Sequence, residues 1–184
     1  MAGAGQRGAE RRVVRASPEP ASGVALPARP RCGTVNGVEE GELVVRRATY
    51  GLFVELGRAP TADEVGQAVS STPDDVRSAW RQLHRAHALV LHAGSDDLRM
   101  ANPFSAAPTA HRVYASERWW YANCAWDAIG ICSALHVDGR VVSSCPDCGD
   151  TIELDIQQTR PSDETLLFHC LVPAIAWWND IGFT

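Results

Sequence analysis

A thiol and a carboxylate stand three residues apart in an aromatic-rich stretch, Trp119-Trp120-Tyr121-Ala122-Asn123-Cys124-Ala125-Trp126-Asp127-Ala128-Ile129-Gly130. On a helix, Cys124 and Asp127 would share one face with Cβ atoms roughly 5 to 6 Å apart, placing a soft nucleophile beside a proton donor. A helix N-terminus would depress the pKa of Cys124, and the thiolate is its reactive form. The rings of Trp119, Trp120 and Trp126 would keep water away, so that Asp127, partly desolvated, holds a proton near neutral pH and gives it to a leaving group. The same letters also fit a small core hydrophobe at 124 and a solvated helix acid at 127.

A second thiol pair lies in Cys145-Pro146-Asp147-Cys148-Gly149. Its spacing suits half of a tetrahedral zinc site, but a second Cys-x-x-Cys is missing. His169 and Cys170 would complete four ligands only with distortion, since neighbouring strand residues point to opposite faces. A redox pair and a purely structural role stay open. Cys132 reads as packing, and Trp177 and Trp178 as core with pocket lining as the alternative. His111 and His136 could partner a catalytic cysteine, though nothing in the spacing ties either to Cys124.

All 17 basic residues are arginine, which removes lysine Schiff-base chemistry and the lysine of a phosphate-binding P-loop. No Gly-rich nucleotide fingerprint, His-Glu-x-x-His helix or serine nucleophile elbow is present. The first 31 residues hold six arginines and two glutamates, so the rest sets 11 arginines against 20 acids, about −9. An acidic body argues against broad nucleic-acid binding. With neither a long apolar run nor the apolar core of a secretory signal, the expectation is a cytoplasmic protein away from the membrane. Its six cysteines then read as thiols, metal ligands or catalytic groups rather than disulfides.

The elements that must position these groups suggest an α+β fold. Residues 1–41, rich in Ala, Gly, Pro and Arg, read as a disordered extension carrying an incidental Cys32. Residues 42–101 read as a winged-helix-like domain. In a helix from Leu43 to Leu56, apolar residues recur at Val44, Ala48, Leu52 and Leu56, with Val45 and Phe53 nearby, and the helix ends at Gly57. The capping box Thr61-Ala62-Asp63-Glu64 starts a second helix, and Thr72-Pro73-Asp74-Asp75 a third. Strands Ala88–Ala93 and Leu98–Ala101 then flank a turn. As a DNA-binding unit it would present Arg77, Arg81 and Arg85, with Asp74 and Asp75 working against phosphate contact. Residues 102–184 read as a small mixed α/β domain of catalytic type. A linker, Asn102 to Thr109, leads to a strand at Arg112–Tyr114, the Cys124 helix, and strands Val141–Ser143, Thr151–Ile156 and Thr165–Val172, the last two joined by a turn at Arg160–Asp163.

With these motifs in view the chain resembles the alkylmercury lyase (organomercurial lyase) family over about Leu43 to Thr184. The resemblance rests on the winged-helix-like part, Asn102-Pro103-Phe104-Ser105, Asn123-Cys124-Ala125-Trp126-Asp127-Ala128, Ser143-Ser144-Cys145-Pro146-Asp147-Cys148-Gly149 and Val172-Pro173 through Phe183-Thr184. It implies mercury resistance by protonolysis of a carbon–mercury bond to a hydrocarbon and Hg(II), with no organic cofactor. The expected partners are a small organomercurial substrate and small thiols that remove the product. Cys124 looks like the first mercury-binding thiolate, Asp127 like the proton shuttle, and Cys145 like a structural cysteine. Mercury is soft and prefers thiolate, and sulfur donation pushes electron density onto the departing carbon. The family pattern continues past Phe183-Thr184 with a second catalytic cysteine. Three outcomes follow: the sequence is a piece of a longer protein, Cys148 or Cys170 substitutes, or lyase activity is lost. The alternative from another class is a winged-helix regulatory protein, or a zinc- or thiophilic-metal-binding one, without lyase activity.

Overall fold

The computed structural model describes residues 34–35, 38–163, 165–168, 170 and 172–182; Cys32, His169 and most of the N-terminal extension lie outside them. A two-stranded pairing, β1 (Thr34–Val35) and β2 (Val38–Glu39), leads into α1 (Glu40–Leu56). The helix starts three residues before Leu43 because the Glu42 carboxylate accepts the Glu39 N–H at 2.6 Å, satisfying a donor at the open end. Its buried face is Val45, Thr49 and Phe53, so the flanking Val45 and Phe53 rather than the main stripe lead into the core; Ala48 and Leu52 are partly buried against it, while Val44 and Leu56 face solvent. A polar residue is tolerated there because Thr49 Oγ1 donates to Val45 O at 2.8 Å and accepts the Trp80 indole N–H at 2.9 Å.

α2 (Ala62–Val69) and α3 (Pro73–Arg85) begin where the capping motifs place them, with Thr61 accepting from Glu64 N–H and Thr72 from Asp75 N–H. The turn between them is tight: a Cβ on Gly66 would stand 2.7 Å from Ser71 O. α3 buries Val76, Trp80 and Leu83, a helical stripe against α1 and α2. β3 (Val90–Leu91), β4 (Leu98–Ala101) and β5 (Phe104–Ser105) form a three-stranded antiparallel sheet. The expected Ala88–Ala93 strand is thus shorter, and the proline-punctuated linker supplies a third strand.

The second sheet has five antiparallel strands in the order β10-β9-β8-β6-β7, from β6 (Arg112–Ala115), β7 (Arg118–Tyr121), β8 (Gly139–Ser144), β9 (Thr151–Gln157) and β10 (Arg160–Pro161). Its inward face alternates through Val113, Ala115, Val141, Leu154 and Ile156. α4 (Ala125–Leu135) lays Ala128, Ile131 and Cys132 onto that face, so Cys132 is a packing residue as expected. Close approach depends on Gly139, where a Cβ would meet Cys132 Sγ at 2.7 Å and Tyr114 O at 2.8 Å. The stretch before Cys124 therefore divides, with Trp119 to Tyr121 in β7 rather than in the helix.

Two expectations near the C-terminal end are corrected. The β9–β10 turn is Gln158-Thr159, both at positive φ, and Arg160–Pro161 is strand rather than turn. The described residues between Thr165 and Val172 form no strand; a 3-10 helix follows at Ala174–Asn179. Phe104 joins the two halves in one apolar cluster, its ring 5.2 Å from both Phe53 and Trp120. From the first position of β7, the Arg118 guanidinium donates to Val54 O and Glu55 O. It supplies the cation that the last turn of α1 lacks. Among the described residues no helix is long and apolar enough to cross a membrane.

Candidate active site

Cys124 is the N-cap of α4, in an extended conformation, and Asp127 is its third helical residue. The three-residue spacing still brings the side chains together, because an N-cap group reaches over the first turn toward N3. Both are half-buried. The thiol makes no standard cap hydrogen bond, yet the amides of Asp127 and Trp126 face it.

Burial pushes the Cys124 thiol above the ordinary cysteine value, and the Asp127 charge adds to the shift. The N–H groups of Asp127 and Trp126 oppose it without prevailing, so the expectation of a thiol depressed by the helix end is corrected. Desolvation also raises Asp127 above the ordinary carboxylate range, against hydrogen bonds from Asn123 and the Cys124 thiol. The site favours neutral forms: a thiol touching a carboxyl that keeps its proton to higher pH than usual.

The tryptophan screen is only partly present. Trp120 is buried against Phe104, whereas Trp119 and Trp126 are 49% and 59% exposed. Trp126 instead forms one wall of an open apolar cavity of about 410 Å³, facing Phe168 and Trp177. Cys170 stands on the same cavity, its thiol donating to Val172 O at 2.9 Å. Cys124 and Asp127 do not line it. Trp178 leaves the core as well and stacks on His87 at 4.1 Å. That contact borders a larger cleft of about 650 Å³ between the end of α3 and the 3-10 helix, away from Cys124.

Sequence reasoning assigned no role to Asn123. Its amide Nδ2 donates to Asp127 Oδ2 at 3.0 Å and faces Asn102 Oδ1, Pro103 O and Phe104 O at 3.3 to 3.4 Å. Asn123 thus ties the acid to the chain before β6, across a cis Asn102-Pro103 bond. The signal was the recurrence of asparagine in both motifs, without any spacing that links them. Tyr50 of α1 was also missed: burial raises its phenol, Arg46 opposes this, and the Asp127 charge adds to it. His111 pairs with buried Ser143, Nδ1 to Oγ 2.7 Å, and burial lowers its pKa. His136 is the αL cap that ends α4.

Cys145 and Cys148 come together on the β8–β9 turn. Among the described residues no group of three or more His, Cys, Asp or Glu side chains is placed to hold a metal ion. The three arginines of α3 are engaged, Arg77 with Asp74, Arg81 with Asp96 and Arg85 with Gln82.

Fold and site together define an α+β protein in which a three-helix, helix-turn-helix-like unit precedes an antiparallel sheet, with a thiol–carboxyl pair at a helix N-terminus. Residues 104–184 match the alkylmercury lyase family model, and residues 43–100 match Sigma-70 region 3. Among solved structures the fold is similar to the crystal structure of the mercury-bound form of MerB2, at a TM-score of 0.56 and 20% identity over 68% of this chain. The match spans 60% of that chain's length. No curated protein sequence matches. Over residues 104–184 the chain is similar in sequence to the alkylmercury lyase family, and its fold is similar to that of MerB2.

Proposed function

We propose that the chain is an organomercurial lyase-type protein in which Cys124 binds the mercury of an organomercurial and Asp127 protonates the departing carbon. The Cys124 sulfur bonds to mercury and displaces the substrate's second mercury ligand, such as a small thiolate, which leaves with the S–H proton. Asp127 then transfers its proton to the carbon as the carbon–mercury bond breaks, giving a hydrocarbon, Hg(II) held by thiolate, and an ionised Asp127. The observation that carries this reading is the half-buried Asp127 in contact with the Cys124 thiol, an acid whose pKa burial raises beside the sulfur that would hold the metal. The mercury-bound MerB2 neighbour supports mercury as the ligand class.

A second thiolate would activate the bond further and hold the product ion, with Cys170 in that role. Small thiols then remove the ion, and no organic cofactor takes part. Zinc at Cys145 and Cys148 would be structural, with two more ligands still to be supplied. The Sigma-70 region 3 match favours one second reading, a regulatory helix-turn-helix protein without lyase activity.

The deciding experiment incubates the protein with an organomercurial and excess small thiol and measures hydrocarbon in the headspace. Release that disappears in Cys124→Ala supports the lyase reading. Absence of release, or release unchanged in Cys124→Ala, rules out this site, and specific DNA binding would then favour the regulatory reading.

A further inference from the structure

The turn between β8 and β9 is closed at its base by two backbone hydrogen bonds, Cys145 N–H to Asp150 O at 2.8 Å and Gly149 N–H to Cys145 O at 2.9 Å. Gly149 sits at φ +79°, the left-handed geometry that lets the chain double back within five residues. The amides of Cys148 and Asp147 point at the Cys145 sulfur, and the amide of Asp150 points at the Cys148 sulfur. The Cys148 thiol itself donates to Cys145. Two sulfurs are therefore held side by side on one tight turn, with backbone N–H groups turned toward both.

Zinc requires four ligands, and the described residues supply no third side chain here. Soft d10 ions are satisfied by two thiolates in a near-linear bridge. Cys148 is exposed and Cys145 half-exposed, so an ion can reach the pair from solvent.

We propose that Cys145 and Cys148 form a second metal site, a two-thiolate clamp for a soft d10 cation such as Hg(II), distinct from Cys124. Binding breaks two S–H bonds, forms two sulfur–metal bonds and releases two protons to solvent, with no change of oxidation state. On the proposed reaction the clamp would take up the product ion, but binding itself does not require that reaction.

The test uses the reduced full chain carrying Cys124→Ala, so that its outcome is independent of carbon–mercury cleavage. One equivalent of mercuric chloride is added in the presence of a competing monothiol, followed by alkylation and peptide mapping. The expected result is joint protection of Cys145 and Cys148 while Cys170 is alkylated. Cys148→Ser, an exposed and conservative change, should weaken binding by about 100-fold or more through loss of the chelate. Cys145→Ser with an unchanged circular dichroism spectrum should do the same. Equal protection of Cys170, unchanged affinity in Cys148→Ser, or retention of zinc that mercury fails to displace would overturn the proposal.

Discussion

Helices α3 and α4 begin in opposite ways. At α3 every device of a stable N-terminus is present: Thr72 accepts from Asp75 N–H, the Asp75 carboxylate accepts from Thr72 N–H and Oγ1, and Pro73 pre-sets the first turn. Asp75 sits in solvent, and the Thr72 hydrogen bonds hold it below the ordinary carboxylate value. At α4 the capping position is Cys124, with no standard cap hydrogen bond, and the acid at the equivalent third position is Asp127, raised by burial. One end spends its acid on holding the helix together. The other has its acid shifted upward by burial and its donors turned toward a thiol, so local stability is given up where chemistry is proposed.

The comparison is broken most completely by Cys124→Ser. Serine is a good N-cap, so α4 should gain up to about 1 kcal/mol in denaturant unfolding. Hydrocarbon release should fall to background, because a hydroxyl does not replace a thiolate for mercury. Equal stability would mean that the thiol already caps the helix.

Thr49→Val tests the packing on which α3 rests. It leaves the buried Trp80 indole N–H without its 2.9 Å acceptor and should cost about 1–3 kcal/mol. Thr72→Ala removes the cap of α3 and should cost about 1 kcal/mol, with little effect on the Cys124 site.

Asp127→Asn sharpens the contrast through pH. Because the folded Asp127 value is raised, its contribution is intact below the unfolded carboxylate value and is lost as pH rises through the folded one. The variant should therefore match wild type in acid and be more thermostable above that range. Cys124 should also be alkylated faster in Asp127→Asn at a fixed neutral pH, since the Asp127 charge opposes thiolate formation.

What could be read in the sequence was local. Thr61 with Glu64 and Thr72 with Pro73 and Asp75 carry their meaning within four residues, and β4 falls on Leu98–Ala101 as its pattern implies. The Cys124–Asp127 contact was legible because a spacing of three joins side chains both within a helix and from its cap. What stayed hidden depends on partners far along the chain. Asn123 reaches Asn102, Trp80 reaches Thr49, and Arg118 reaches the end of α1, and none of these pairs has a sequence signature. Gln158-Thr159 makes a two-residue turn at positive φ without the usual glycine or asparagine, which is why the strand after it was misplaced. The pKa of Cys124 was misjudged for another reason, since the helix end was visible in the sequence and the burial that outweighs it was not.

The central claim is that Asp127 delivers the proton to carbon. It is tested most directly by a single-turnover reaction with an organomercurial in D2O, comparing wild type with Asp127→Asn by mass spectrometry of the hydrocarbon. The account predicts one deuterium per product in wild type, and release slowed by about 10²–10⁴-fold in the variant while mercury stays bound to Cys124. Release at the wild-type rate from Asp127→Asn would contradict it.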